Sequence, residues 1–302
     1  MPQPLAETPT LMATVPRQFV HRAAVAETFL TGWNRSGADR FSVAAQWPRA
    51  HGLHVSSDRS AYEPLLVVET IRQAGTLITH TEYDVPLGYH FVLQQFEVDT
   101  FPEHLTVGPI PAEPLVELDF FDVRYRGGRP AGARYTAEVL LDGAQVASAR
   151  VAFTCVGDSV YRRLRGGRTP DTVSPPPVPP GLPADAVGRA LPADVVLAPT
   201  EHDDRWQLRI DTAHPVFFDH PLDHAPGMLL LEAARQAAWV RAAKAGSPAS
   251  FHAVFHRYAE LDEPVWIEAV EERDTGIRIV ATQGESTVFE CLVGAVAGCA
   301  IV

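Results

Sequence analysis

The chain is poor in cysteine, short of positive charge and without a long apolar run, and each shortage narrows what it can be. Cys155, Cys291 and Cys299 are its only cysteines in 302 residues. An odd count with no metal-ligand spacing gives neither a disulfide framework nor a zinc site, and it points to a reducing cytoplasm. Lys and Arg number 25 against 37 Asp and Glu, for a net charge of −12. Wholesale binding of nucleic acid or of an anionic membrane is therefore not expected; Arg162-Arg163-Leu164-Arg165 is the one local basic cluster singled out. No apolar run approaches the ~18 residues of a membrane span. The first residues lack the basic and apolar regions of a signal peptide. What remains, with 46% hydrophobic and 21% charged residues, is ordinary for a soluble globular protein long enough for two domains.

One stretch organises the rest. Pro226-Gly227-Met228-Leu229-Leu230-Leu231-Glu232-Ala233-Ala234-Arg235-Gln236-Ala237-Ala238 reads as a helix that is apolar nearly all round, hence buried. It places Glu232, Arg235 and Gln236 at i, i+3 and i+4, on one face. Burying a carboxylate without partners costs several kcal/mol, by the usual desolvation argument. The device occurs twice. Pro64 to Gly75 carries Glu69, Arg72 and Gln73 in the same order, and 232 − 69, 235 − 72 and 236 − 73 all give 163. His51 and His214, upstream of the two helices, share the same offset. Two copies of a unit of about 150 residues follow.

In chain order, Arg40 to Trp47 alternates as a strand, and a first buried helix is expected over about Pro64 to Tyr83, ended at Val85-Pro86. Strands are expected at His90 to Val98, Val116 to Arg124, Ala133 to Leu141 and Gln145 to Val156, with Asp142-Gly143 as a hairpin turn. One long helix followed by a meander is an α+β pattern. Residues 166–192, with the run Ser174 to Gly181, read as a Pro-rich linker between an N-terminal domain (1–165) and a C-terminal one (193–302). The second unit offers strands at Ala193 to Ala198 and Trp206 to Thr212. Its helix is expected from Pro226 to Ala245 with Gly246 as cap, and further strands at Ala253 to Tyr258, Val265 to Glu271, Ile277 to Thr282 and Thr287 to Val302.

The candidate chemistry lies around the helices. Glu232 and Glu69 are candidate acid/base groups, or else partners of a helix-surface ion pair with Arg235 and Arg72. Those arginines suit a phosphate or carboxylate, or an internal partner. The loop His214 to Ala225 holds three histidines and two aspartates. No HxH or HExxH spacing supports a metal, so His220 and His224 read as acid/base groups. The amides of Gly227 and Met228 at the helix start could polarise a carbonyl oxygen, or could merely begin the helix. Gln236 and Gln73 are candidate substrate-binding amides.

The stretch His214 to Pro221, followed by Pro226 to Ala233, resembles the loop and helix of hotdog-fold 3-hydroxyacyl-ACP dehydratases, with His220 and Glu232 at the matching places, a shorter His-to-Glu spacing and Arg235 before Gln236. Across both halves the chain resembles the A-factor biosynthesis hotdog-repeat proteins, the γ-butyrolactone autoregulator synthases. The matching stretches include Val20-His21-Arg22, Asp39 to Val43, Ala45 to Pro48, Glu69 to Ala74, Val85 to Phe91, Pro226 to Ala237 and Arg257 to Glu260. His51-Gly52-Leu53-His54 departs from the usual loop. The resemblance implies a tandem double hotdog, each unit a long helix wrapped by an antiparallel sheet, paired as a pseudo-dimer, with further homo-oligomerisation left open. It implies an acyltransferase joining a β-ketoacyl group, from acyl carrier protein or CoA, to dihydroxyacetone phosphate, without a cofactor. In that reading Glu232 takes the hydroxyl proton with His220 or His224 as relay, Gly227 and Met228 hold the oxyanion, Arg235 or Arg72 holds the phosphate, and Glu69 is the counterpart of Glu232. A dehydratase or thioesterase, and a non-catalytic acyl- or lactone-binding regulator, are the alternatives.

Overall fold

The computed structural model describes residues 13–242, 248–273 and 276–295. In the first half, β1 (Leu30–Arg35) and β2 (Arg40–Ala45) precede α1 (Pro64–Thr81), and β3 (His90–Thr100), β4 (Leu115–Arg126), β5 (Arg129–Leu141) and β6 (Ala144–Val156) follow it. A short α2 (Asp158–Leu164) closes that half. The second half repeats the order: β7 (Leu197–Pro199), β8 (Arg205–Leu208), α3 (Gly227–Arg241), β9 (Pro248–Phe255), β10 (Trp266–Arg273), β11 (Gly276–Gln283) and β12 (Ser286–Ala295).

All twelve strands form one antiparallel sheet in the order β1-β2-β4-β5-β6-β3-β9-β12-β11-β10-β8-β7. Read from either end, the sequence of elements is the same. Each half wraps one long helix, and the halves meet where β3 pairs with β9, Phe96 opposite Ala253 and Val98 opposite Phe251. The alternating residues of the strands face the helices, so Tyr135, Ala137 and Val139 of β5 are buried. Pro64 sits in the first turn of α1, where no amide partner is missed. Gly75, in the middle of α1, has no side chain because Tyr135 lies against it; a Cβ there would meet the Tyr135 hydroxyl oxygen at 2.4 Å.

The expected strands and long helices are present, with ends shifted by a few residues. β1 and α2 were not foreseen. The tail of the last expected strand beyond residue 295, the helix cap at Gly246 and Cys299 lie outside the described residues. Val15 donates its amide to Leu30, and Leu182 does the same to Leu197, both at 2.9 Å. Leu182 thus pairs with the first strand of the second half from inside the expected linker, and residues 165–184 run without helix or strand.

Candidate active site

Glu69 and Glu232 are fully buried, and the structure shows what neutralises each. Glu69 accepts Nε of Arg72 at 2.8 Å, Nη2 of Arg72 at 2.7 Å and Nε2 of Gln73 at 2.7 Å. A second guanidinium, Arg22, reaches the same carboxylate at 2.7 Å. Glu232 is held in the same way by Arg235 and Gln236. Its second guanidinium is Arg189, with Nε at 2.7 Å from Oε1 and Nη2 at 2.5 Å from Oε2. Burial alone would push both carboxyls up. The paired guanidiniums outweigh it, holding Glu69 well below the carboxylate range and Glu232 at about 2.

Arg22 and Arg189 also cross between the units. Arg22 donates from Nη1 to the carbonyl of Val216, and Arg189 from Nη1 to that of Leu53. Each carbonyl belongs to the loop before the other unit's helix. These loops are braced by His51 and His214. Nδ1 of His51 accepts the amides of Leu53 and His54, so Nε2 carries the proton and donates to Glu27. His214 repeats this with Val216, Phe217 and Asp194. Both rings have each nitrogen engaged. Nitrogens of His51 and His54 lie with a Glu27 oxygen within 4.8 Å of one another, but the His51 proton points at Glu27, where a cation would need a lone pair.

A cavity of about 970 Å³ opens between the units. The start of α3 and the loop before it form one wall; His21, Arg22, Arg72 and the first half of β3 form the other. Phe91, Leu93, Phe96, Leu230 and Phe255 give it an apolar interior, and His220 and His224 stand at its polar parts. Nδ1 of His220 is 2.5 Å from Oδ1 of Asp219, and Nδ1 of His224 is 2.7 Å from Oδ1 of Asp223. A carboxylate oxygen only accepts, so each imidazole carries its proton on Nδ1 and keeps Nε2 as a lone-pair nitrogen. Asp219 is itself fixed by the amides of Ala23 and Ala24 in the other unit. Asp223 is fixed by Tyr161 and by Arg165, which also grips Glu260 with two nitrogens.

Three expectations change on this geometry. Glu232 does not line the cavity, and its oxygens are taken by Arg189, Arg235 and Gln236. Glu69 is placed likewise. Arg235 is only 3% exposed and outside the cavity wall, whereas Arg72 is 25% exposed and lines it. Gln73 and Gln236 are consumed by main chain: Gln73 bridges the carbonyl of Glu27 and the amide of Phe29, and Gln236 the carbonyl of Asp194 and the amide of Val196. His220, His224, Arg72, Gly227 and Met228 do come together around one cavity.

The pseudo-equivalent place in the other direction is built differently. The counterparts of His220 and His224, at the offset of 163, are Ser57 and Ala61. The counterpart of His21, defined by its neighbour Arg22, is Gly188 beside Arg189. Trp239 packs on Gly188 so closely that a Cβ would lie 2.8 Å from the indole.

The sequence matches the family described as A-factor biosynthesis hotdog domain over residues 5–157 and 171–296. The chain belongs to this family. It is 45% identical over 291 residues to the 2-oxo-3-(phosphooxy)propyl 3-oxoalkanoate synthase of Streptomyces virginiae, covering 94% of this chain and 98% of that protein. It is 41% identical over 279 residues to the protein of the same name from Streptomyces griseus, covering 90% and 92%. Among solved structures, the 12:0-ACP thioesterase from Umbellularia californica superposes with a TM-score of 0.50 at 12% identity, covering 85% of this chain and 97% of that one. A pyran synthase domain of the sorangicin pathway gives 0.51 at 13%, covering 88% and 97%. At such identities the likeness establishes the tandem hotdog fold alone.

Proposed function

We propose that this member of the family is a 2-oxo-3-(phosphooxy)propyl 3-oxoalkanoate synthase, an acyltransferase joining a 3-oxoacyl group to a hydroxyl of dihydroxyacetone phosphate. The observation that carries the reading is identity of 45% to a synthase of that name along 98% of its length. The cavity suits the two substrates. Its apolar interior suits an acyl chain, and the edge of Arg72 left over from Glu69 suits a phosphate.

The reaction breaks a thioester C–S bond and forms an ester C–O bond. His220, oriented by Asp219, accepts the hydroxyl proton at Nε2 as oxygen attacks the thioester carbon. The amides of Gly227 and Met228, at the positive end of α3, hold the oxyanion of the tetrahedral intermediate. The imidazolium then returns the proton to the departing thiolate. Glu232 and Glu69 act at one remove: with Arg189 and Arg22 they fix the loops that carry the working groups. The donor is an acyl thioester on a carrier protein or CoA, and the setting is the cytoplasm. Among the described residues no helix is long and apolar enough to cross a membrane.

Mass spectrometry of the full chain incubated with a 3-oxoacyl thioester and dihydroxyacetone phosphate tests this. A new phosphate-bearing acyl ester, lost in His220→Ala, is the expected result. Free acid with no ester would overturn it in favour of a thioesterase.

A further inference from the structure

His21 is a non-glycine residue in left-handed backbone, with φ 53° and ψ 49°. Such a conformation costs about 1 kcal/mol or more for a residue with a Cβ and persists where something needs it. The equivalent residue of the second unit, one position before Arg189, is Gly188, at φ 68° and ψ 35°. The backbone thus demands the same left-handed turn in both units. One unit meets it with the residue suited to it, and the other with a histidine. The side chains around the two differ accordingly. Gly188 is covered by Trp239, whereas His21 lines the cavity beside Arg72 and His220.

The proton on His21 can be placed. His80 has Nδ1 at 2.6 Å from the carbonyl of Val85, which can only accept, so His80 is protonated there and bare at Nε2. Nε2 of His21 lies 2.8 Å from that bare nitrogen and must donate to it. The remaining nitrogen of His21, Nδ1, is left with a lone pair. His21 also stays neutral: burial first, and then the charges of His80, Arg72 and His220, hold it down to about 3. It is a fixed acceptor and no proton store.

We propose that His21 is a further substrate-contacting residue, whose Nδ1 accepts the hydroxyl of the phosphorylated acceptor and so selects that alcohol over water. His80 is its positioning residue. The assignment rests on the transferase reading given above. It explains why one unit tolerates the strain: a hydroxyl beside Arg72 needs an acceptor that never becomes charged there, and a neutral imidazole with one proton tied down is such a group.

The test compares transfer to dihydroxyacetone phosphate with hydrolysis of the same 3-oxoacyl thioester by the full chain. In His21→Gly, which copies the other unit and relieves the strain, kcat/KM for transfer should fall about 10- to 100-fold, the effect of leaving a hydroxyl without its partner, and hydrolysis should fall clearly less. His21→Asn, which tolerates left-handed backbone and offers an acceptor oxygen, should recover part of the loss. His80→Leu, outside the cavity, should lower transfer selectively and less. Unchanged transfer in His21→Gly, or equal loss of transfer and hydrolysis, overturns the assignment. If the wild-type chain transfers nothing, the transferase reading fails. Calorimetric titration with dihydroxyacetone phosphate then decides the residue's role: binding weakened in His21→Gly supports it, and equal binding overturns it.

Discussion

Arg22 and Arg189 stand in equivalent places in the two units, and each joins the buried glutamate of its own helix to a carbonyl of the opposite unit. One side chain on each side thus serves as counterion and as cross-brace. The shape of the cavity between the units depends on ion pairs whose carboxylates, Glu69 and Glu232, stay out of its wall.

Removing one guanidinium should therefore cost far more than a surface pair would. Arg189→Met leaves Glu232 facing only Arg235 and strands part of a buried charge, with an expected loss of about 3–5 kcal/mol. Glu232→Leu added to it should restore much of that loss, because the unpaired charge goes with it. Urea unfolding of the single and double variants checks this; a loss below about 1 kcal/mol in Arg189→Met would show the brace to be dispensable.

Stability should fall with acid in two steps. His54 is buried with neither ring nitrogen partnered among the described residues, and burial holds its pKa well below the ordinary 6.5. Below that pH the unfolded chain binds a proton that the folded chain refuses, so stability present above 6.5 is lost as pH falls. His21, held to about 3, adds to the same step. Glu232 contributes above its ordinary 4.5 and loses that contribution as pH falls toward about 2. His54→Phe, which copies Phe217 at the equivalent place, should shrink the upper step and leave the lower one. Melting temperatures between pH 8 and 3 read both.

In kinetics the two polar groups should separate. Arg72→Met should raise KM for dihydroxyacetone phosphate with a smaller change in kcat, as loss of a binding contact does. His220→Ala should lower kcat about 10²- to 10⁴-fold, the range of a lost general base. His224→Ala should lose less, since Asp223 already shares its charge with Arg165. Steady-state rates on purified variants decide between these patterns, and equal losses in both histidine variants would contradict the assignment to His220.

The sequence displays the repeat at Glu69/Glu232 and Gln73/Gln236 because a helix tolerates no insertion, and 163 survives intact across it. It conceals Arg22 and Arg189, since 189 − 22 is 167. Four residues of difference lie in the connections between the upstream segments and the loops at His51 and His214, where length is free to change. The stretches Val20-His21-Arg22 and Val187-Gly188-Arg189 carry the missing signal, a valine two before an arginine. The second of these lies within the expected linker, just after the Pro-rich run. The surroundings of the acids were hidden for the same reason. The sequence shows one arginine beside each buried Glu, and the fold adds a second, Arg22 or Arg189. The cavity's histidines were legible from the loop's composition, but their tautomers depend on neighbours that only the fold brings together.

The outermost strands of the sheet are β1 and β7, and each is overlaid by an upstream segment whose amide caps it, Val15 on Leu30 and Leu182 on Leu197. β7 is only three residues long and ends at Pro199, which has no amide hydrogen to offer. The inner edges are already spent on each other. Both rims of the sheet are thereby blunted against a stray strand, and one chain closes its own ladder instead of templating the next.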